Sequence, residues 1–83
     1  MKIRVRLFAA LRDCLPAGTP SNEMELVVAD GISVQGLIDR AALPAKRVHL
    51  VLVNGYHVPP GAYGGTVLED GDVVAIWPPV AGG

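Results

Sequence analysis

At 83 residues, 51% of them hydrophobic and 18% charged, the chain can fill one small core and is too apolar for a disordered segment. Seven basic side chains against eight acidic ones leave a net charge of −1, which excludes the basic footprint of a nucleic-acid or membrane-surface binder. Leu7 to Leu11 is too short for a signal-peptide core and Arg12 and Asp13 interrupt it, while no apolar run approaches the ~18 residues of a membrane span. The lone Cys14 cannot form an internal disulfide, so a reducing, cytoplasmic setting is expected.

Lys2 to Leu7 alternates, with Lys2, Arg4 and Arg6 opposed to Ile3, Val5 and Leu7, and predicts a strand with one buried face. Glu23 to Ala29 alternates too. Paired antiparallel, the two strands set Arg4 and Arg6 opposite Glu23 and Glu25. LPAGTPSN between them is a wide, turn-rich loop. Asp30-Gly31 turns the chain, and Ser33 is the expected N-cap of a short helix whose Val34, Leu37, Ile38 and Ala41 share one face before Pro44 ends it. Gly36 inside that helix costs about 1 kcal/mol relative to alanine, a cost that a close approach of helix to sheet would explain.

Val48 to Val53 is almost continuously apolar and predicts a central strand; Asn54-Gly55 signals a hairpin into a short edge strand around Tyr56 to Val58. After the loop PPGAYGG, in which Gly64-Gly65 is simply loop, Asp70-Gly71 turns into a last strand from Val73 to Trp77. The fold these segments satisfy is α+β: a mixed four- to five-stranded sheet with one main helix across one face, the terminal strands side by side in its centre. That is the β-grasp arrangement of ubiquitin-like domains. Residues 1–77 form the domain and 78–83 a flexible tail. Val5, Leu7, Leu26, Val28, Leu37, Ile38, Leu52, Val74 and Ile76 are expected to share the core.

The chemistry lies in the last stretch, WPPVAGG. Pro78 and Pro79 have no amide hydrogen, so a ladder cannot run past Trp77. At ~3.1 Å per residue, the extended stretch from Pro78 to Gly83 reaches roughly 18 Å. Gly82 and Gly83 lack Cβ atoms and can enter a channel closed to any side chain, mobile until a partner orders them. The group then presented is the Gly83 carboxylate. It is a poor electrophile until a partner enzyme adenylates it with ATP and magnesium, after which a sulfur donor, thiol or amine can displace AMP.

With these residues the sequence resembles the MoaD/ThiS sulfur-carrier family. LFAALRD, VNG and LEDGDVVAIWPPVAGG are similar to that family's first strand and turn and its second half, and PPVAGG resembles the ending of the small subunit of molybdopterin synthase. The resemblance implies a protein that is not an enzyme by itself and binds no cofactor. Its Gly83 would carry sulfur as a thiocarboxylate, with Gly82 granting access. Pro78, Pro79, Val80 and Ala81 would position the tail in the partner. The implied partners are a molybdopterin synthase large subunit (MoaE-like), a ubiquitin-activating-type adenylyltransferase (MoeB/ThiF-like) that uses ATP-Mg, and a sulfur donor such as a cysteine desulfurase or rhodanese. The segment ISVQGLIDRAALPAKRVHLVLVNGYHVP is closer to the thiamine-pathway carrier, and a ubiquitin-like modifier or a plain β-grasp interaction module remain alternatives.

Away from the tail, the readings weigh chemistry against packing. If Val74 and Ile76 face the helix, Trp77 faces outward with Val73 and Ala75 beside Phe8, and both aromatics are candidates for a partner face. His57 is a candidate contact on the edge segment. His49 has no nucleophile or second ligand in sequence and reads as structural or solvated. Cys14 reads as a small buried hydrophobe. Glu69, Asp70 and Asp72 lack the remaining ligands of a calcium loop and read as a turn, so no metal site is expected.

Overall fold

Strict alternation along the first strand sets the frame of the molecule. In the computed structural model, which describes residues 1–79, β1 (Lys2–Leu7) buries Ile3, Val5 and Leu7 completely and exposes Lys2, Arg4 and Arg6. β2 (Glu23–Val27) runs antiparallel beside it, with Arg4 opposite Glu25 and Arg6 opposite Glu23. The Arg6 Nε–H donates to Glu23 Oε1 at 2.9 Å, while Glu25 pairs with Lys2 at 3.8 Å in place of Arg4. Exposed pairs of this kind contribute only about 0–1 kcal/mol, so the register is held by the buried face.

β5 (Val73–Trp77) lies on the other side of β1 and parallel to it, from Arg4–Val73 to Leu7–Ile76. β3 (Leu50–Val53) pairs antiparallel with β5, and β4 (Tyr56–His57) forms the edge, giving the order β2-β1-β5-β3-β4. The first and last strands therefore share the centre, as expected. Asn54 and Gly55, both left-handed with φ of 50° and 87°, make the β3–β4 hairpin. Asn54 also accepts from the Val73 N–H and donates to Asp72 Oδ1, each at 2.9 Å, and so fixes where β5 starts.

The helix α1 (Val34–Arg40) begins as its sequence requires, with Ser33 Oγ accepting the Gly36 N–H at 3.0 Å. The Val34 and Gln35 amides, which have no partner inside the helix, donate to the carbonyls of Thr66 and Tyr63 at 2.9 and 3.0 Å. The loop after β4 is therefore the cap of α1, and it buries Tyr63 and Leu68 in the same core as Val34, Leu37 and Ile38. Burial also raises the Tyr63 phenol above its ordinary pKa, and its hydroxyl has no hydrogen-bond partner among the described residues. The crowding at Gly36 is with the preceding turn and not with the sheet: a Cβ there would stand 2.8 Å from Ile32 Cγ1.

Three expectations are corrected. Leu52 does not join the core; it pairs with Ala75 on the outer face, and Val51, opposite Ile76, is buried instead. A run apolar at nearly every position carries no parity of its own. β3 starts at Leu50 and not Val48, because Ala45–Arg47 is a 3₁₀ turn and the ladder is met only where the His49 N–H donates to the Trp77 carbonyl at 2.9 Å. β2 stops at Val27 short of Ala29, its last bond to β1's end being Val28 N–H to the Met1 carbonyl at 2.8 Å. Leu26 is half-buried against the core, which the other seven expected residues enter fully.

The same register gives a stability prediction. Ile76→Ala, at a fully buried position between β1 and β3, should lower the unfolding free energy by about 2–5 kcal/mol in a urea titration. Leu52→Ala, on the outer face, should cost less than about 1 kcal/mol. Equal losses would place Leu52 in the core after all.

Candidate functional site

The site grows from the point where two neighbouring strands end. β1 finishes at Leu7; Phe8 donates its N–H to the Ile76 carbonyl at 3.2 Å, and Ala9 turns the chain with a left-handed φ of 50° into a 3₁₀ segment, Ala9–Cys14. β5 finishes at Trp77, and Pro78 and Pro79 have no N–H with which to continue the ladder. Parity puts Phe8 and Trp77 on the outer face, away from α1. Their rings stack with centroids 4.1 Å apart and planes 5° from parallel. Such a pair contributes about 0.5–1.5 kcal/mol beyond its buried area.

This aromatic ridge separates two shallow grooves. One runs along the outer face of the sheet, floored by Leu52, Val73 and Ala75 and bordered by Arg6 and Asn54. The other lies at the sheet's end and is lined by Ala9, Ala10, His49, Leu50, Pro78 and Pro79. Trp77 borders both. Arg47 joins the walls of the second groove: its Nη2–H donates to the Ala10 carbonyl at 2.6 Å, and Nη1 lies 4.0 Å from Cys14 Sγ.

Of the residues singled out in sequence, Phe8, Trp77, Pro78 and Pro79 are brought together here. His57 is not: it sits exposed on β4, opposite Leu52, with β3 between its strand and β5. Val80, Ala81, Gly82 and Gly83, and with them the expected flexible tail, lie outside the described residues. Ala9, Ala10, His49 and Leu50 belong to the surface although nothing in their local sequence marks them. The ladder to β5, with Leu50 opposite Trp77 and the His49 N–H on the Trp77 carbonyl, places this stretch beside the end of β5.

Among the described residues no group of His, Cys, Asp or Glu is gathered to hold a metal, and no described helix is long and apolar enough to cross a membrane. The arrangement does one thing well: it delivers the continuation of a rigid central strand to the edge of an apolar, aromatic-ridged surface. The five-stranded mixed sheet with one main helix across it is a ubiquitin-like β-grasp domain.

Residues 5–83 match the ThiS family, and the chain belongs to that family. It is a ThiS/MoaD-like sulfur carrier or a ubiquitin-like modifier. A comparison with curated proteins finds no match. Among solved structures it is similar to SAMP1 from Haloferax volcanii, with 27% identity, all of both chains covered and a TM-score of 0.73. It is also similar to a Pyrococcus furiosus protein assigned as molybdopterin converting factor, subunit 1, with 28% identity over 95% of this chain and 98% of that one and a TM-score of 0.69. The thiamine biosynthesis protein ThiS from Geobacter metallireducens shares the fold over the full length of both chains, at 21% identity and a TM-score of 0.68.

Proposed function

We propose that this chain is the sulfur-carrying small subunit of a molybdopterin synthase. The observation that carries the proposal is the end of β5, where Pro78 and Pro79 leave the ladder beside the apolar surface built around Phe8 and Trp77. In this reading the Gly83 carboxylate attacks the α-phosphate of ATP on an adenylating enzyme and releases pyrophosphate. Hydrosulfide, or a persulfide followed by thiol reduction, then displaces AMP and leaves a thiocarboxylate. Delivered to a large subunit, that sulfur enters the molybdenum cofactor. Phe8, Trp77, Pro78 and Pro79 hold the domain on its partner, and Gly82 lets the carboxylate through a narrow channel. The likeness to the Pyrococcus furiosus protein supports the molybdopterin branch.

A second reading, a ubiquitin-like modifier whose activated Gly83 is attacked by lysine amines, is favoured by the full-length likeness to the Haloferax volcanii protein. One experiment separates the two. The chain is incubated with its adenylating enzyme, ATP, magnesium and sulfide, with and without lysate proteins, and followed by intact mass. The expected result is a gain equal to the difference between sulfur and oxygen, located at Gly83 by fragmentation. Lysine-linked adducts without that gain would make the chain a modifier, and an unchanged mass would reduce it to a binding module. Loss of the gained mass on adding a molybdopterin synthase large subunit together with its pterin precursor, which accepts the sulfur as water restores the carboxylate, but not on adding a thiazole synthase with its own substrate, assigns the pathway.

A further inference from the structure

The net charge of −1 conceals a separation of charge along the sheet. Because β1 and β5 are parallel, both start at one end of the molecule and finish at the other. The starting end is acidic. Asp30 holds the Met1 ammonium at 3.2 Å, Asp70 accepts the Lys2 N–H at 2.8 Å, and Asp72 accepts the Glu69 N–H at 2.8 Å. The finishing end, where Pro78 and Pro79 depart, is basic. Its two turns, Ala9–Cys14 and Ala45–Arg47, carry Arg12, Lys46 and Arg47, with Asp13 the one carboxylate on either.

None of those three cations is ion-paired with a carboxylate among the described residues. Arg47 is committed to the Ala10 carbonyl and fixes the two turns against each other, while Arg12 and Lys46 are exposed. The apolar groove takes Ala9 and Ala10 from the first of these turns and His49 and Leu50 from the chain just past the second, with Pro78 and Pro79 beside them. An apolar trough flanked by uncompensated cations is complementary to an apolar projection flanked by carboxylates.

We infer that this end of the domain docks on an acidic rim around the tail channel of the enzyme that adenylates Gly83, with Arg12 and Lys46 steering the encounter and the groove sealing it. The inference rests on the carrier reading and adds the chemistry of the partner's surface. Steering suits a carrier, which has to be captured quickly and released again: opposite charge raises the association rate and is screened by salt, leaving a contact that can dissociate.

The test is binding of the full-length chain to the adenylating enzyme, with ATP omitted, by stopped flow and calorimetry at low and high salt. The variant reverses the rim, Arg12→Glu with Lys46→Glu, and Lys2→Glu, an exposed cation at the acidic start of β1, is the control. Both altered rim residues are exposed, and an unchanged melting temperature confirms the fold. The reversed rim should slow association at low salt by roughly tenfold or more, the gap closing several-fold at high salt, while the control stays at the wild-type rate. Equal association for wild type and reversed rim would overturn the inference, and sulfuration of wild-type Gly83 would still uphold the carrier reading. A wild-type chain that neither binds nor is sulfurated would remove both. Self-association of the chain alone, lost on reversing the rim, would assign the cations to a second copy's acidic end and overturn the inference too.

Discussion

A chain extended by one alanine beyond Gly83 should lose sulfuration almost entirely, by at least ~10²-fold in single turnover, while its melting temperature stays where it was. The extension turns the Gly83 carboxylate into an amide, which has no oxygen able to attack ATP. The new carboxylate stands one residue further on, about 3.3–3.6 Å along an extended chain, and carries a methyl group beside it. A displacement of even ~1 Å from productive geometry can cost ~10²-fold. The fold has no stake in the change, because the core strand ends at Trp77 and, among the described residues, the buried ones all precede it. Gly82→Trp should act differently: the carboxylate remains, but entry is blocked, so the rate falls and excess enzyme does not restore it. Undiminished sulfuration of the extended chain, read by intact mass, would show that the working group is not the Gly83 carboxylate.

The parts of this molecule that were legible in sequence are those where one local rule decides. Alternation placed Ile3, Val5 and Leu7 inward and Arg4 and Arg6 outward; Ser33 marked the start of α1; Asn54-Gly55 marked the β3–β4 turn; and Trp77 followed from Val74 and Ile76. Phe8 was legible for the same reason, since it continues the outward parity of the strand that pairs with β5. The segments that misled were those where tertiary contact decides. Val48 to Val53 offered no alternation from which to prefer Val51 over Leu52, and the choice is made by pairing with Ile76 and Ala75. Tyr63 and Leu68 sit in a segment rich in glycine and proline, yet they are buried because their loop supplies the carbonyls that α1 needs at its first turn. Half of the apolar surface at the sheet's end was hidden similarly: Ala10 and His49 are far apart in sequence, and an arginine reaching back from the turn before β3 brings their segments together.

Trp77→Glu should separate docking from folding. The substitution keeps the backbone of β5, including the Trp77 carbonyl that accepts the His49 N–H at 2.9 Å, and leaves Val74 and Ile76 in their buried places. What the fold loses is the stack on Phe8, about 0.5–1.5 kcal/mol. What the surface loses is larger. Trp77 borders both grooves, so a carboxylate in its position breaks the aromatic ridge and puts a charge where a partner would have to desolvate it. Affinity for the adenylating enzyme, and for a large subunit, should fall by at least about 2 kcal/mol, roughly 30-fold, as central aromatic anchors do. Trp77→Phe, which keeps an aromatic ring facing Phe8, should recover most of that loss. Denaturant titration and calorimetry on the same samples give the two energies side by side. If unfolding falls by several kcal/mol while binding is unmoved, Trp77 stabilises the sheet's end and the partner docks elsewhere. If binding falls alone, the aromatic ridge at the root of the tail is the surface on which the carrier is held while Gly83 reacts.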